Sequence, residues 1–250
     1  MSGHSKWSQI KRQKGVADAK RGQVFTKLAR EIMVAVRQGG PDPEGNFRLR
    51  LAVQRARDSN MPTDNIERAI KRAAGTTDAS ALSEITYEGY GPGGMAILVQ
   101  VLTDNRNRTL NEVRNTFSRH NGNMGEAGSV SWLFDQRGVI SIDAGEVNAE
   151  ELALMAIDAG AEDVKVEDSS VEVHTRPQDM EKVRKALEEK DIHIASADLS
   201  MVPKTIVPIE EKAALSGLRL LERLEELDDV QHVYSNADFP DKVLETYRAS

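Results

Sequence analysis

Residues 139–201, VISIDAGEVNAEELALMAIDAGAEDVKVEDSSVEVHTRPQDMEKVRKALEEKDIHIASADLSM, carry the pattern that decides the fold. Val139–Ile142 reads as a strand and Ala149–Ala159 as a helix. Val164–Glu167 and Ser170–Thr175 read as two strands turning at Asp168-Ser169, Gln178–Lys190 as a helix and Ile192–Met201 as a strand. The order βαββαβ is that of a split-βαβ, ferredoxin-like module. Residues 136–203 are therefore expected to form a self-contained domain.

On either side the chain holds fragments that cannot fold alone. Glu84–Tyr90 and Met95–Thr103 read as strands joined by Gly91-Pro92-Gly93-Gly94. That loop lacks the Lys and Ser or Thr of a phosphate-binding loop and no helix follows it at once, so a hairpin is the better reading. A helix is expected over Thr109–His120, with Leu110, Val113 and Phe117 inward, then a strand over Ser129–Phe134 after the glycine-rich loop Asn121–Gly128. Beyond Pro203 come a long helix, Ile209–Leu227, and a strand, Val230–Ser235. The fragments complete each other if residues 81–135 and 204–250 make one discontinuous α/β domain with 136–203 inserted.

Residues 1–80 differ in charge. Residues 1–75 hold 16 Lys and Arg against 7 Asp and Glu, about +9, in a chain of net charge −7, which leaves about −16 on the remainder. After a basic arm, Met1–Ala17, a helix is expected from Asp18, with Val24, Leu28, Ile32 and Ala35 or Val36 on one face. Lys20, Lys27, Arg30 and Arg37 fall within about a quarter of the circumference on the other side. Gly39-Gly40-Pro41 ends this helix. A second helix is predicted over Asn46–Ser59, with Leu49, Ala52, Val53 and Ala56 inward and Arg48, Arg50, Arg55 and Arg57 flanking. A third, N-capped by Thr63, runs through Ala74 with Arg68, Lys71 and Arg72 outward.

A solvated face is the ordinary meaning of such cations. Here the opposite charges that normally interleave at i,i+4 are missing: the first 40 residues carry 9 Lys or Arg and, as acids, Asp18 and Glu31. A phosphate backbone relieves that repulsion, so DNA or RNA is the expected partner. In the arm, Lys6, Lys11, Arg12 and Lys14 add to the charge. Trp7 among them reads equally as a base-stacking ring or as an anchor to the helices.

The composition is that of a globular protein, 39% hydrophobic and 29% charged. Zero cysteines exclude disulfides, thiol catalysis and thiolate metal sites. No apolar run approaches a membrane span, and no secretory or transit segment opens the chain, so a cytoplasmic protein is expected. Asp104, Arg106, Arg108, His120 and Glu126 lie near the glycine-rich segments without a paired acid and base, a nucleophile or metal-ligand spacing. Neither an enzyme, a cofactor, a metal nor a small-molecule substrate is expected. No helix-turn-helix, zinc finger or basic zipper is legible.

Several long motifs stand in order along the chain: MSGHSKWSQIK at Met1–Lys11, DAKRGQVFTKLAREI at Asp18–Ile32, NMPTDNIERAIKR at Asn60–Arg72, YEGYGPGG at Tyr87–Gly94, DNRNRT at Asp104–Thr109, GSVSWLF at Gly128–Phe134 and DDVQHVYSN at Asp228–Asn236. Through them the chain closely resembles the YebC/PmpR family. The resemblance implies an α+β protein of three domains, an N-terminal three-helix basic domain followed by two α/β domains, in agreement with the division above.

It also implies a regulator of gene expression. Bacterial members are described as DNA-binding transcriptional regulators; others, including a mitochondrial relative that activates translation, act on the ribosome, and bacterial members are linked to relief of stalling at proline runs. His4, Ser5, Lys6, Trp7, Lys11, Lys20 and Arg21 match the family's basic motif. The expected nucleic-acid contacts are these with Arg12, Lys14, Lys27, Arg30, Arg37, Arg48, Arg50, Arg55, Arg57, Arg68, Lys71 and Arg72, and secondarily Arg106 and Arg108. The partner is DNA, or ribosomal RNA and tRNA on the ribosome.

Overall fold

The computed structural model describes residues 18–75, 82–143, 148–167 and 170–248. They form an α+β structure that divides into two compact units, one of residues 134–202 and one made by the chain before and after it.

In the larger unit the first three helices are α1 (Asp18–Gly39), α2 (Phe47–Asp58) and α3 (Thr63–Gly75). Leu28, Ile32 and Ala35 of α1 pack with Leu49 and Val53 of α2 and Ile66 and Ala69 of α3 in one buried cluster. Gly40, at φ +87°, takes the left-handed conformation that ends α1. Asn46 then fixes the turn. Its Oδ1 accepts from Leu49 N at 3.0 Å, capping α2, while its Nδ2 donates to Ala35 O and Gly40 O at 2.7 and 2.8 Å. At α3 the carbonyl of Pro62 accepts from Asn65 and Ile66, so Thr63 is the first helical residue and not the cap.

The sheet of this unit has the order β3-β1-β2-β9, with β1 Ser83–Tyr90, β2 Ala96–Thr103, β3 Asn123–Met124 and β9 Val230–Ser235, while the short β8 (Val207–Pro208) pairs separately, in parallel, with β10 (Ala237–Asp238). β1 and β2 form the expected antiparallel hairpin. β9 pairs antiparallel with β2, Ile97 opposite Ser235, so chain from beyond residue 202 completes the sheet. One face packs on α4 (Arg106–Arg119), α7 (Glu211–Glu225) and α8 (Asp241–Arg248), burying Val99, Val113, Phe117, Leu221, Val233 and Leu244 together. Each such fully buried side chain contributes about 1.5–3 kcal/mol.

Besides Thr63, two further expectations change and one element is new. α4 begins at Arg106, because the Asn105 side chain accepts from Arg108 N at 3.1 Å and caps a helix whose first turn has no apolar residue to announce it. Ser129–Leu133 is not a strand; a 3₁₀ turn at Ser131–Leu133 leads directly into β4 (Phe134–Asp143), so only Phe134 of the expected strand is extended. Helix α8 has no counterpart in the sequence reading.

The second unit runs β4 (Phe134–Asp143), α5 (Ala149–Ala159), β5 (Asp163–Glu167), β6 (Ser170–Thr175), α6 (Met180–Glu188) and β7 (Ile194–Pro203). Its sheet order, β5-β6-β4-β7, is the ferredoxin-like one. Val171 and Val173 of β6 face inward with Ile140 and Ile142 of β4, beneath Leu152 and Ala156 of α5 and Val183 and Leu187 of α6, all buried. Within the larger unit, Lys204 N donates to Leu133 O at 2.8 Å, so the chain leaves that unit and returns to it at one point.

Candidate nucleic-acid interface

The basic helices meet the sheet through three clusters of side chains. Asp229, just before β9, is the hub of the first. Its carboxylate is 3% exposed; Oδ1 accepts from Arg30 Nη1 at 2.9 Å, and Oδ2 accepts from Arg108 Nη2 at 2.6 Å, Thr109 Oγ1 at 2.6 Å and Thr103 Oγ1 at 3.0 Å. Burial raises this carboxyl group, but the Thr109 and Arg108 hydrogen bonds outweigh it and hold Asp229 below the usual carboxylate range. Beside it Arg30 also donates to Asp228 O at 2.8 Å and Lys27 Nζ to Glu225 O at 2.5 Å.

The second cluster joins α1, α2 and β9. Arg55 Nη1 lies 2.9 and 2.8 Å from the two Glu31 oxygens, and His232 Nε2 lies 2.8 Å from Glu31 Oε1. For that contact to be a hydrogen bond, the imidazole proton sits on Nε2. Burial raises the Glu31 carboxyl group, yet the Arg55 charge and the His232 bond lower it further, to about 2. In the third cluster, Arg48 bridges the Glu84 carboxylate at 2.5 and 3.2 Å and Gln38 Oε1 at 2.5 Å. The Arg48 hydrogen bond holds Glu84 below its ordinary value. This pair lies in solvent, so it contributes little stability.

The stripe expected on the free side of α1 therefore faces protein at Lys27 and Arg30. Arg37 is half-buried, and its Nη2 has no hydrogen-bond partner among the described residues. Arg50 folds back over the Phe47 ring, 5.8 Å away, and donates to Pro43 O and Glu44 O. Arg106 Nε donates to Ser83 Oγ at 3.2 Å, and Arg108 pairs with Asp104 as well as Asp229. Outward and exposed are Arg21 at the start of α1, Arg57 on α2, and Arg68, Lys71 and Arg72 on α3. Arg68 reaches Asn65 and Lys71 pairs loosely with Glu67 at 3.5 Å. Lys20 is on α1. His4, Ser5, Lys6, Trp7, Lys11, Arg12 and Lys14 lie outside the described residues.

The sequence reading passed over Arg114 and Arg119, which are exposed on α4 beside Asn107, Asn111 and Asn115. Their signal was available: in that helix four arginines stand against the single acid Glu112.

Two family models cover this chain almost end to end. The TACO1/YebC protein N-terminal domain matches residues 5–76 and the TACO1/YebC second and third domain matches residues 82–237. The chain belongs to the YebC/PmpR family. A probable transcriptional regulatory protein of Dehalococcoides mccartyi is 54% identical to this YebC/PmpR chain over 249 residues, covering 100% of it and 99% of the relative. One of Chloroflexus aurantiacus is 54% identical over 252 residues, with 100% of each covered. Among solved structures, a conserved hypothetical protein of Aquifex aeolicus superposes with a TM-score of 0.82 at 47% identity, over 89% of this chain and 92% of that one. The names of the relatives support a regulatory role in the YebC/PmpR family. No helix among the described residues is long and apolar enough to cross a membrane.

Proposed function

We propose that this chain is a non-enzymatic regulator of gene expression that binds DNA through its basic N-terminal third. The supporting observation is the charge of residues 1–75, about +9, whose outward members Arg57, Arg68, Lys71 and Arg72 add to the cations of the Met1–Ala17 sequence. Phosphate neutralises such a surface and releases counterions, which drives binding of any sequence. The relatives' name, probable transcriptional regulatory protein, favours DNA as the target. The residues with the best claim to chemistry are engaged otherwise: Asp104 and Arg108 pair with each other, and Arg108 and Thr109 serve Asp229. That favours binding over catalysis.

A second reading, RNA on the ribosome, is favoured by the charge partition. A body carrying about −16 is repelled by long DNA except at its basic end, whereas a crevice between RNA and protein accommodates that polarity. Crosslinking the protein to nucleic acid in cells and sequencing what is attached separates the two. Discrete promoter DNA supports the first reading and predominant ribosomal RNA the second; recovery of neither sinks both.

A further inference from the structure

Two exposed aromatic side chains away from the helical segment are tied to one carbonyl group. Tyr90 Oη donates to Ser129 O at 3.0 Å, and Trp132 Nε1 donates to the same oxygen at 3.2 Å. Trp132 is nonetheless 65% exposed and Tyr90 40%. Because the polar edge of the indole is engaged, its exposure falls mostly on ring carbons. A tryptophan buries more apolar area than any other side chain, so leaving one in water forgoes a large stabilisation.

The shared carbonyl is held rigidly. Glu88, buried beneath this loop, accepts from Gly128 N at 2.7 Å, Val130 N at 2.7 Å and Ser131 N at 2.8 Å. Burial alone raises the Glu88 carboxyl group, but the three N–H donors outweigh it and keep it ionised. Two polar groups flank the rings. Lys204 Nζ donates to Trp132 O at 3.0 Å, which sets a positive charge against the indole's own backbone. Asn123, exposed, stands directly opposite Tyr90 in the β1–β3 pairing, so its amide projects on the same side of the sheet.

Fixed ring faces, an adjoining ammonium and an amide are the parts with which proteins hold unpaired bases: the ring stacks, the cation meets phosphate, and the amide reads a base edge. We propose that Tyr90 and Trp132 form a stacking platform for an unpaired base of RNA, with Lys204 at the neighbouring phosphate. This rests on the RNA reading given above. Chromosomal DNA keeps its bases stacked inside the duplex, whereas folded RNA displays them in loops and bulges.

Tryptophan emission of the full chain, titrated with a uridine-rich single-stranded RNA, tests this while an electrophoretic mobility shift reports binding independently. Quenching is expected in the wild-type chain, and the part of it absent from Trp132→Phe belongs to Trp132. Trp132→Ala is expected to bind this RNA about tenfold more weakly, and Trp132→Phe to retain most of the affinity because stacking needs the ring and not its N–H. Thermal melting of both variants reports their folding. RNA binding without Trp132 quenching, and as tight in Trp132→Ala, overturns the platform and leaves the RNA reading standing. No RNA binding by the wild-type chain overturns both. Equal quenching by duplex DNA overturns the assignment to RNA.

Discussion

Arg30 Nη1 lies 2.9 Å from Asp229 Oδ1, which fastens the first described helix to the foot of a strand 199 residues later in the chain. Arg30, and Lys27 through its bond to Glu225 O, thus fasten the fold at positions where ligand contacts were expected. Asp229 also satisfies Thr103, Thr109 and Arg108. Asp229→Ala therefore leaves several donors short of a partner in one place. It is expected to lower stability by about 3 kcal/mol, measured by urea unfolding at neutral pH, because removing one member of a buried, hydrogen-bonded charge cluster costs more than the cluster contributes. A change below about 1 kcal/mol would show that water replaces the carboxylate there.

Glu31 predicts an acid dependence with a definite sign. Its folded value, about 2, lies below the ordinary 4.5. A depressed carboxyl group contributes stability that is complete above the ordinary value and disappears as pH falls toward the folded one. Between about pH 4.5 and 2 the wild-type chain is expected to lose about 3 kcal/mol more than Glu31→Gln does. Unfolding midpoints of the two proteins across that range measure it. Parallel curves would mean that Arg55 and His232 do not hold the charged form.

Much of this architecture was legible because it rests on periodicity. The βαββαβ alternation in residues 139–201 and the stripe of Leu28, Ile32 and Ala35 declare which faces are buried. That the two flanking fragments join was expected from their incompleteness, but which strands meet, β2 with β9, was not legible. What stayed hidden depends on partners distant in sequence. Nothing in the spacing of Lys27 and Arg30 says that Glu225 and Asp229 wait across the fold. The first turn of α4 escaped because Arg106, Asn107 and Arg108 carry no apolar signal, and α8 because it is two turns long. Two of the α1 cations thus have protein acceptors, Glu225 O and Asp229, that lie 198 and 199 residues away in the sequence and that no local pattern announces.

The outward cations separate binding from folding. Arg57, Arg68, Lys71 and Arg72 replaced together by Ala are expected to leave unfolding nearly unchanged and to weaken nucleic-acid binding, with the salt-dependence slope falling by up to about 0.9 for each lost phosphate contact. Lys27→Ala with Arg30→Ala is expected to behave oppositely, losing stability first. Salt-titrated filter binding beside urea unfolding distinguishes the two variants. An unaltered slope in the fourfold variant would remove α2 and α3 from the interface.

Glu88 predicts a local loosening that leaves the core intact. Its carboxylate accepts the amides of Gly128, Val130 and Ser131. Glu88→Gln replaces one accepting oxygen by an amide nitrogen that faces a donor. Hydrogen exchange at those three amides is therefore expected to quicken while exchange in β2 stays slow, since β2 is buried along almost its whole length. The wild-type protection has a pH sign too. With its folded value depressed, Glu88 holds the loop at and above its ordinary value and releases it as pH falls through the folded one. If the three amides exchange no faster in Glu88→Gln, the 3₁₀ turn at Ser131–Leu133 and its neighbours hold the loop without the carboxylate, and the fixed position of Ser129 O owes nothing to Glu88.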